Sequence, residues 1–156
     1  MILQNFTEKD FQNLHSFMQP LWEETYRDIL PKEQIHFLLK KYFDPAAIVH
    51  FRDLGYQYRK IDDVGVLVFV EQEECIYIDK LYLLPSARGK GYPALIFDEL
   101  ASYKKDILLN VNQGNARAVA CYLKNGFIID SKQTIDLGNG MINYDYVMRK
   151  QRSVAS

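Results

Sequence analysis

Arg88-Gly89-Lys90-Gly91 stands between an apolar run, Cys75 to Leu84, and a run of helical character, Ala94 to Lys104. A strand that stops at Pro85, crosses a basic glycine-rich turn and restarts as a helix aims several backbone N–H groups at one point. The positive end of the helix dipole adds to them. Such a turn suits a phosphate or pyrophosphate, because glycine lets the backbone come close and Arg88 and Lys90 supply charge. The competing explanation is a solvated basic loop, since turns of this composition are common. Two nucleotide motifs do not fit. A Walker loop needs a longer glycine spacing closed by Gly-Lys-Ser/Thr, and a dinucleotide fold needs a third glycine and an acidic residue about 20 positions on. Further along, the chain reads NARAVACYLKNGF, where Asn115, Ala118 and Tyr122 are spaced three and four apart and share one helix face. One polar donor, one small residue and one phenol then lie on a single stripe.

The succession of LYLLP, ARGKG, a helix, ILLNV and NARAVACYLKNGF, from about Tyr77 to Phe127, resembles the GCN5-related N-acetyltransferases (GNAT). That family transfers acetyl from acetyl-CoA to amines. The resemblance implies acetyl-CoA as cosubstrate, no metal, and a role for each matching position. Leu81, Tyr82 and Leu83 would end the strand that runs beside the pantetheine arm and thioester. Arg88, Gly89, Lys90, Gly91, Tyr92, Pro93 and Ala94 would form the pyrophosphate turn, Asn115 would contact the CoA arm, and Tyr122 would protonate the departing thiolate. Two positions depart from the pattern. Pro93 stands where the family's last small residue belongs, and it removes one N–H donor from the cradle, so reduced cofactor affinity is expected. Some relatives that acetylate protein N-termini carry a glutamate base five residues before the asparagine; here that position is Asn110, which cannot accept a proton at neutral pH.

An amine that arrives neutral can attack a thioester directly, so the protein must position it, polarise the carbonyl and deliver a proton to sulfur. Tyr122 is the candidate acid: a phenol, with a reference pKa near 10, is protonated at neutral pH. Its structural alternative is a tyrosine that closes the helix on the sheet. Asp79 lies inside an apolar strand, where a lone carboxylate is costly, so it must be paired, hydrated or facing a cleft. By strand alternation it shares a face with Tyr77, Leu81 and Leu83, and a base acting directly or through water is one reading. The other is an ion pair with Lys80 or Arg88. For the acceptor, WEETYRDILP offers Glu23 and Glu24 to attract a cationic amine and Trp22 and Tyr26 as walls; a solvated helix end is the alternative. This segment, with QIHFLLKKY after it, also resembles bacterial spermidine/spermine-type acetyltransferases, which implies a small amine or polyamine as acceptor. Acetylation of a protein N-terminus or lysine, and acyl-CoA binding without turnover, are the rival functions.

These residues need a frame. The chain has 156 residues, 48% of them apolar, as expected of one compact domain over 1–156. A net charge of -1 argues against nucleic acid as a partner. Cys75 and Cys121 sit in apolar runs and read as buried thiols rather than a disulfide framework, and His15, His36 and His50 lack metal-ligand spacing. No apolar run is long enough to span a membrane and no leader pattern opens the chain, so the cytoplasm is the expected location. Hydrophobic periodicity predicts a strand from Met1 to Phe6, Thr7 as a helix cap, and a helix through Phe11, Leu14, Met18, Leu21 and Trp22 interrupted at Pro20. A second helix starts at Pro31. Next come strands at Tyr56–Ile61, Val64–Val70, Cys75–Leu84 and Ile107–Val111, then a helix over Asn115–Asn125 and a hairpin of Phe127–Leu137 with Ile142–Arg149. The order β-α-α-β-β-β-α-β-α-β-β is α/β or α+β, with a mixed, mostly antiparallel central sheet flanked by helices. The edge of the last hairpin would allow a homodimer, as family members often form.

Overall fold

A computed structural model describes residues 2–153; Met1, expected in the first strand, and residues 154–156 lie outside the described residues. The elements run β1 (Leu3–Asn5), α1 (Glu8–Tyr26), α2 (Lys32–Phe43), α3 (Pro45–Asp53), β2 (Gln57–Ile61), β3 (Gly65–Glu71) and β4 (Cys75–Leu83). After a 3-10 turn at Pro85–Ala87 come α4 (Tyr92–Leu100), β5 (Asp106–Asn112), α5 (Ala116–Lys124), β6 (Ile128–Gly138) and β7 (Met141–Lys150). The strands form one sheet in the order β1-β2-β3-β4-β5-β7-β6, antiparallel throughout except for the parallel pair β4–β5. The expected mixed, mostly antiparallel sheet flanked by helices is the one observed.

Alternating side chains divide the core into two layers. In β3, Leu67 and Phe69 join Ile76 and Ile78 of β4, Ile96, Phe97 and Leu100 of α4, and Phe127 on one face. Val66 and Val68 turn the other way, onto Leu14, Met18 and Trp22 of α1 and Leu38 and Leu39 of α2. Burial on both faces explains why the β3 sequence is an unbroken apolar run.

Three local features differ from expectation. Helix α1 is not interrupted at Pro20 but continues to Tyr26. The proline removes one hydrogen bond, while the buried stripe Leu14, Met18, Leu21, Trp22 and Tyr26 spans it and holds both halves against the sheet. The start of α1 obeys the capping signal: the Asp10 N–H donates to Thr7 Oγ1 (3.2 Å) and the Thr7 N–H to Asp10 Oδ2 (2.9 Å). Helix α3, absent from the expected order, starts with Pro45 in its first turn. Helix α4 begins two residues earlier than Ala94 and gives way to a 3-10 turn at Ala101–Tyr103. Among the described residues no helix is long and apolar enough to cross a membrane.

Candidate functional site

The two parallel strands at the centre of the sheet part company. β4 and β5 pair from Cys75↔Asp106 to Ile78↔Leu109 and no further, although β4 runs on to Leu83 and β5 to Asn112. The cause lies in the register on the other side of β4. There Val68 opposes Lys80 and Phe69 opposes Ile78, which leaves Asp79 as an extra residue, and such a bulge bends and twists its strand. Past the bulge, the side of β4 that faced β5 is an unpaired edge, and a cavity of about 310 Å³ opens between the diverging strands. A crevice beyond the carboxyl ends of parallel strands is a general place for ligands.

The bulge corrects the expected strand parity. Ile76 and Ile78 lie in the α4 layer, and so do Leu81 and Leu83, whereas Tyr82 points into the α1/α2 layer. Asp79 therefore does not share the face of Leu81 and Leu83; the extra residue resets the alternation. Its carboxylate meets Lys80 Nζ at 3.0 Å, one of the two partners named from sequence. Lys80 is 7% exposed, with its ammonium 3.7 Å from the centre of the Tyr42 ring. Burial pushes its pKa down, and the Asp79 charge opposes that shift.

At the mouth of the crevice, Gly89 (φ 74°) and Gly91 (φ 82°) take left-handed conformations, and Gly91 is the N-cap of α4. Both are open, with no atom within 4 Å of where a Cβ would stand. Among the described residues, the N–H groups of Gly89, Lys90, Gly91, Tyr92 and Ala94 have no intramolecular acceptor; the first helical bond is from the Leu95 N–H to the Gly91 carbonyl at 3.4 Å. Pro93, in the first turn, supplies none. Arg88 is engaged: its two terminal nitrogens donate to Glu24 Oε1 (3.2 Å) and Oε2 (3.1 Å), and Arg117 stands 3.8 Å from the same carboxylate. Those hydrogen bonds hold the Glu24 pKa below its ordinary value.

On the opposite wall, Asn115 is the N-cap of α5, its side-chain oxygen accepting the Ala118 N–H at 3.3 Å. Tyr122 packs against Phe97 and Phe127, at 6.3 and 5.5 Å between ring centres, and lines the cavity. Its hydroxyl has no hydrogen-bond partner among the described residues. Burial pushes its pKa well up, with the Cys121 and Tyr26 charges adding, so it is a proton donor at neutral pH. Both cysteines have raised thiol pKa values, chiefly from burial, which is the reverse of an activated thiolate.

The acceptor residues named from sequence separate. Trp22 and Tyr26 line the cavity, and the Tyr26 and Tyr82 hydroxyls share a 2.5 Å hydrogen bond. Glu23 is outside it, 3.7 Å from His36 Nε2, and Glu24 is held by the arginines. Sequence reasoning missed Asp145. This β7 carboxylate is 8% exposed and lines the cavity. Asn110 Nδ2 donates to its Oδ2 at 3.3 Å and to Gln133 Oε1 at 2.6 Å, while Asn110 Oδ1 accepts the Tyr77 hydroxyl at 3.1 Å. Burial raises the Asp145 pKa, opposed by the Asn110 bond and the Lys80 charge. A signal existed, since a lone carboxylate inside INYDYVM is as anomalous as Asp79 inside IYIDKLYL.

Residues 11–127 match the family described as the acetyltransferase (GNAT) family. This chain belongs to that family. Within it, uncharacterised N-acetyltransferases of Mycobacterium bovis and Mycobacterium tuberculosis are 37% identical over 81 residues. The match covers 49% of this chain and 51% of theirs, so the GNAT chain spans about half the length of the curated relatives it matches. Among solved structures, its fold is similar to PaiA N-acetyltransferase of Thermoplasma acidophilum in complex with coenzyme A (TM-score 0.73, 18% identity, 96% of this chain and 97% of that one). It is also similar to a spermidine N-acetyltransferase SpeG chimera from Vibrio cholerae and hSSAT (TM-score 0.65, 18% identity, 97% of each chain). At that identity the likeness is one of fold, and it extends over nearly the whole GNAT chain.

Proposed function

We propose that this chain is an acetyl-CoA-dependent N-acetyltransferase acting on a primary amine by direct attack on the thioester. One observation carries the reading: the β4–β5 crevice joins an unpaired strand edge, a turn of free N–H groups and the partnerless hydroxyl of Tyr122. Acetyl-CoA would supply an activated acyl group. The edge of β4 from Asp79 to Leu83 suits the amides of its pantetheine arm, since an extended chain can add to a free strand. The N–H groups of Gly89 to Ala94 suit its pyrophosphate. In the transfer, the amine nitrogen bonds to the acetyl carbon, the carbon–sulfur bond breaks, and Tyr122 gives its proton to sulfur. The amine's surplus proton passes to Asp79, which at 19% side-chain exposure can hand it on to water, and a proton from water restores Tyr122.

Asn115 braces α5 as its cap and sits beside the CoA path, and Trp22 and Tyr26 wall the acceptor end. Polyamines join small monoamines among the acceptors to test first, a choice supported by the fold likeness to a spermidine N-acetyltransferase. The deciding experiment titrates acetyl-CoA by calorimetry and then assays acetyl transfer to an amine panel. Saturable binding weakened by Gly91→Glu, with transfer to an amine, is the expected result. Binding without transfer to any amine would make the chain an acyl-CoA-binding module; absence of binding at millimolar acetyl-CoA would sink the reading.

A further inference from the structure

The cavity's charges, taken pair by pair, leave two groups over: one arginine, since Arg88 and Arg117 share Glu24, and one carboxylate, Asp145. Asp79 is ion-paired to Lys80 at 3.0 Å, and Arg88 is held at 3.1 Å by Glu24, which also faces Arg117. Asp145 is the other carboxylate lining the cavity. It has no basic side chain within ion-pair distance among the described residues, and its side-chain hydrogen bond is the long one from Asn110. The amide of Asn110 is fixed by Tyr77 on one side and Gln133 on the other, so it can satisfy only part of the carboxylate's capacity. Aromatic rings line the same cavity: Trp22, Tyr26, Tyr42, Tyr77 and Tyr82. The charge of Asp145 reaches the hydroxyls of Tyr26, Tyr42 and Tyr77 and helps to raise their pKa values, and Trp22 lies against Tyr26, Tyr42 and Tyr82 at 5.5, 6.3 and 5.5 Å.

We propose that Asp145 receives the acceptor as an ammonium group and takes one proton from it, so that the nitrogen attacks as the neutral amine, and that the acceptor is a monocationic amine with an apolar or aromatic body rather than a polyamine. This deepens the acetyltransferase reading and rests on it. A single unbalanced carboxylate inside an aromatic cavity matches one positive charge, which it binds by a charge-assisted hydrogen bond, while the aromatic walls suit the apolar body. The second and third ammonium groups of a polyamine would meet no free carboxylate and would lose water for nothing. Glu23 and Glu24, the acidic residues near the helix end, are outside the cavity or already paired, so they do not extend the acidic track.

The test measures binding by calorimetry in the presence of saturating coenzyme A, with phenethylamine, its neutral counterpart phenethyl alcohol, and spermidine as probes. Wild-type protein is expected to bind phenethylamine and to bind the alcohol and spermidine at least about 30-fold more weakly; Asp145→Asn should lose about 30-fold or more for phenethylamine. Asp145→Asn is nearly isosteric, and the alcohol comparison needs no variant at all. Unchanged phenethylamine binding in Asp145→Asn, or equal binding of amine and alcohol, would overturn the anchor. Spermidine binding tighter than phenethylamine would overturn the acceptor class. Coenzyme A is titrated alone first: its failure to bind defeats the acetyltransferase reading, whereas loss of amine discrimination with coenzyme A bound defeats this inference alone.

Discussion

Tyr122 and Asp145 are two buried acids with opposite assignments, and each yields a prediction at the residue scale. Tyr122 is protonated, unpartnered and backed by Phe97 and Phe127, so Tyr122→Phe keeps the packing and removes only the donor. Acetyl-CoA affinity should survive while kcat falls by about 10²–10⁴, the usual worth of a positioned acid; an unaltered kcat in steady-state assays would reassign the acid. Asp145 is costly to the fold. Burial raises its carboxyl pKa above 3.8 even though Asn110 and Lys80 oppose the shift, with Tyr26, Tyr42 and Tyr77 facing it from α1, α2 and β4. The folded chain thus binds this proton more tightly than the unfolded chain. Its contribution to stability falls as pH rises from 3.8 through the raised folded value. Asp145→Asn should therefore raise Tm at neutral pH, and the gain should vanish below pH 3.8, the ordinary carboxyl value. A lower Tm for the variant at neutral pH would show that Lys80 and Asn110 outweigh burial.

On the proposed function, the element expected to set cofactor affinity is the first turn of α4. Its donors converge because Gly91 caps the helix at a φ of 82°, and Pro93 breaks the row. Pro93→Ala restores one N–H where anionic oxygen would sit, and should tighten acetyl-CoA about tenfold, as one hydrogen bond to a charged group of ~1.5 kcal/mol does. Equal affinities by calorimetry would place the phosphates elsewhere on the turn. Glu24 works against the same turn from α1, since it occupies both arms of Arg88. Glu24→Gln weakens that hold, so acetyl-CoA should bind more tightly and with a steeper salt dependence; weaker binding would mean that Glu24 holds Arg88 in place for the phosphates.

At the scale of the whole molecule, the site is a seam between two layers. The α1/α2 layer brings Trp22 and Tyr26, the α4/α5 layer brings the glycine turn and Tyr122, and the diverging strands hold them at one cavity. A ligand that spans the seam ties the layers together and must stabilise the fold. Acetyl-CoA at 100 times its Kd should add about 2.7 kcal/mol, which is a rise in Tm of about 5–10 °C for this size. No rise in a thermal melt would be incompatible with the proposed function.

Local chemistry determined much of this from the chain alone. Thr7 and Asp10 specify the start of α1, the basic glycine turn specifies the break between β4 and α4, and the spacing of Asn115, Ala118 and Tyr122 puts them on one face of α5. Each depends on neighbours within a few residues, which is why it is legible. The parity of Asp79 was not, because a bulge is a property of two strands in register, and the extra residue on β4 exists only relative to Val68 and Phe69 of β3. Pro20 misled for the same reason: local propensity ends a helix there, and the packing of α1's buried stripe against the sheet overrides it. The partners of Arg88, Glu24 and Asp145 are decided by folding as well, since their contacts join positions 64 and 35 residues apart. Sequence determines which groups are present; which of them face one another across one cavity, and which carboxylate is left without a cation, only the tertiary structure decides.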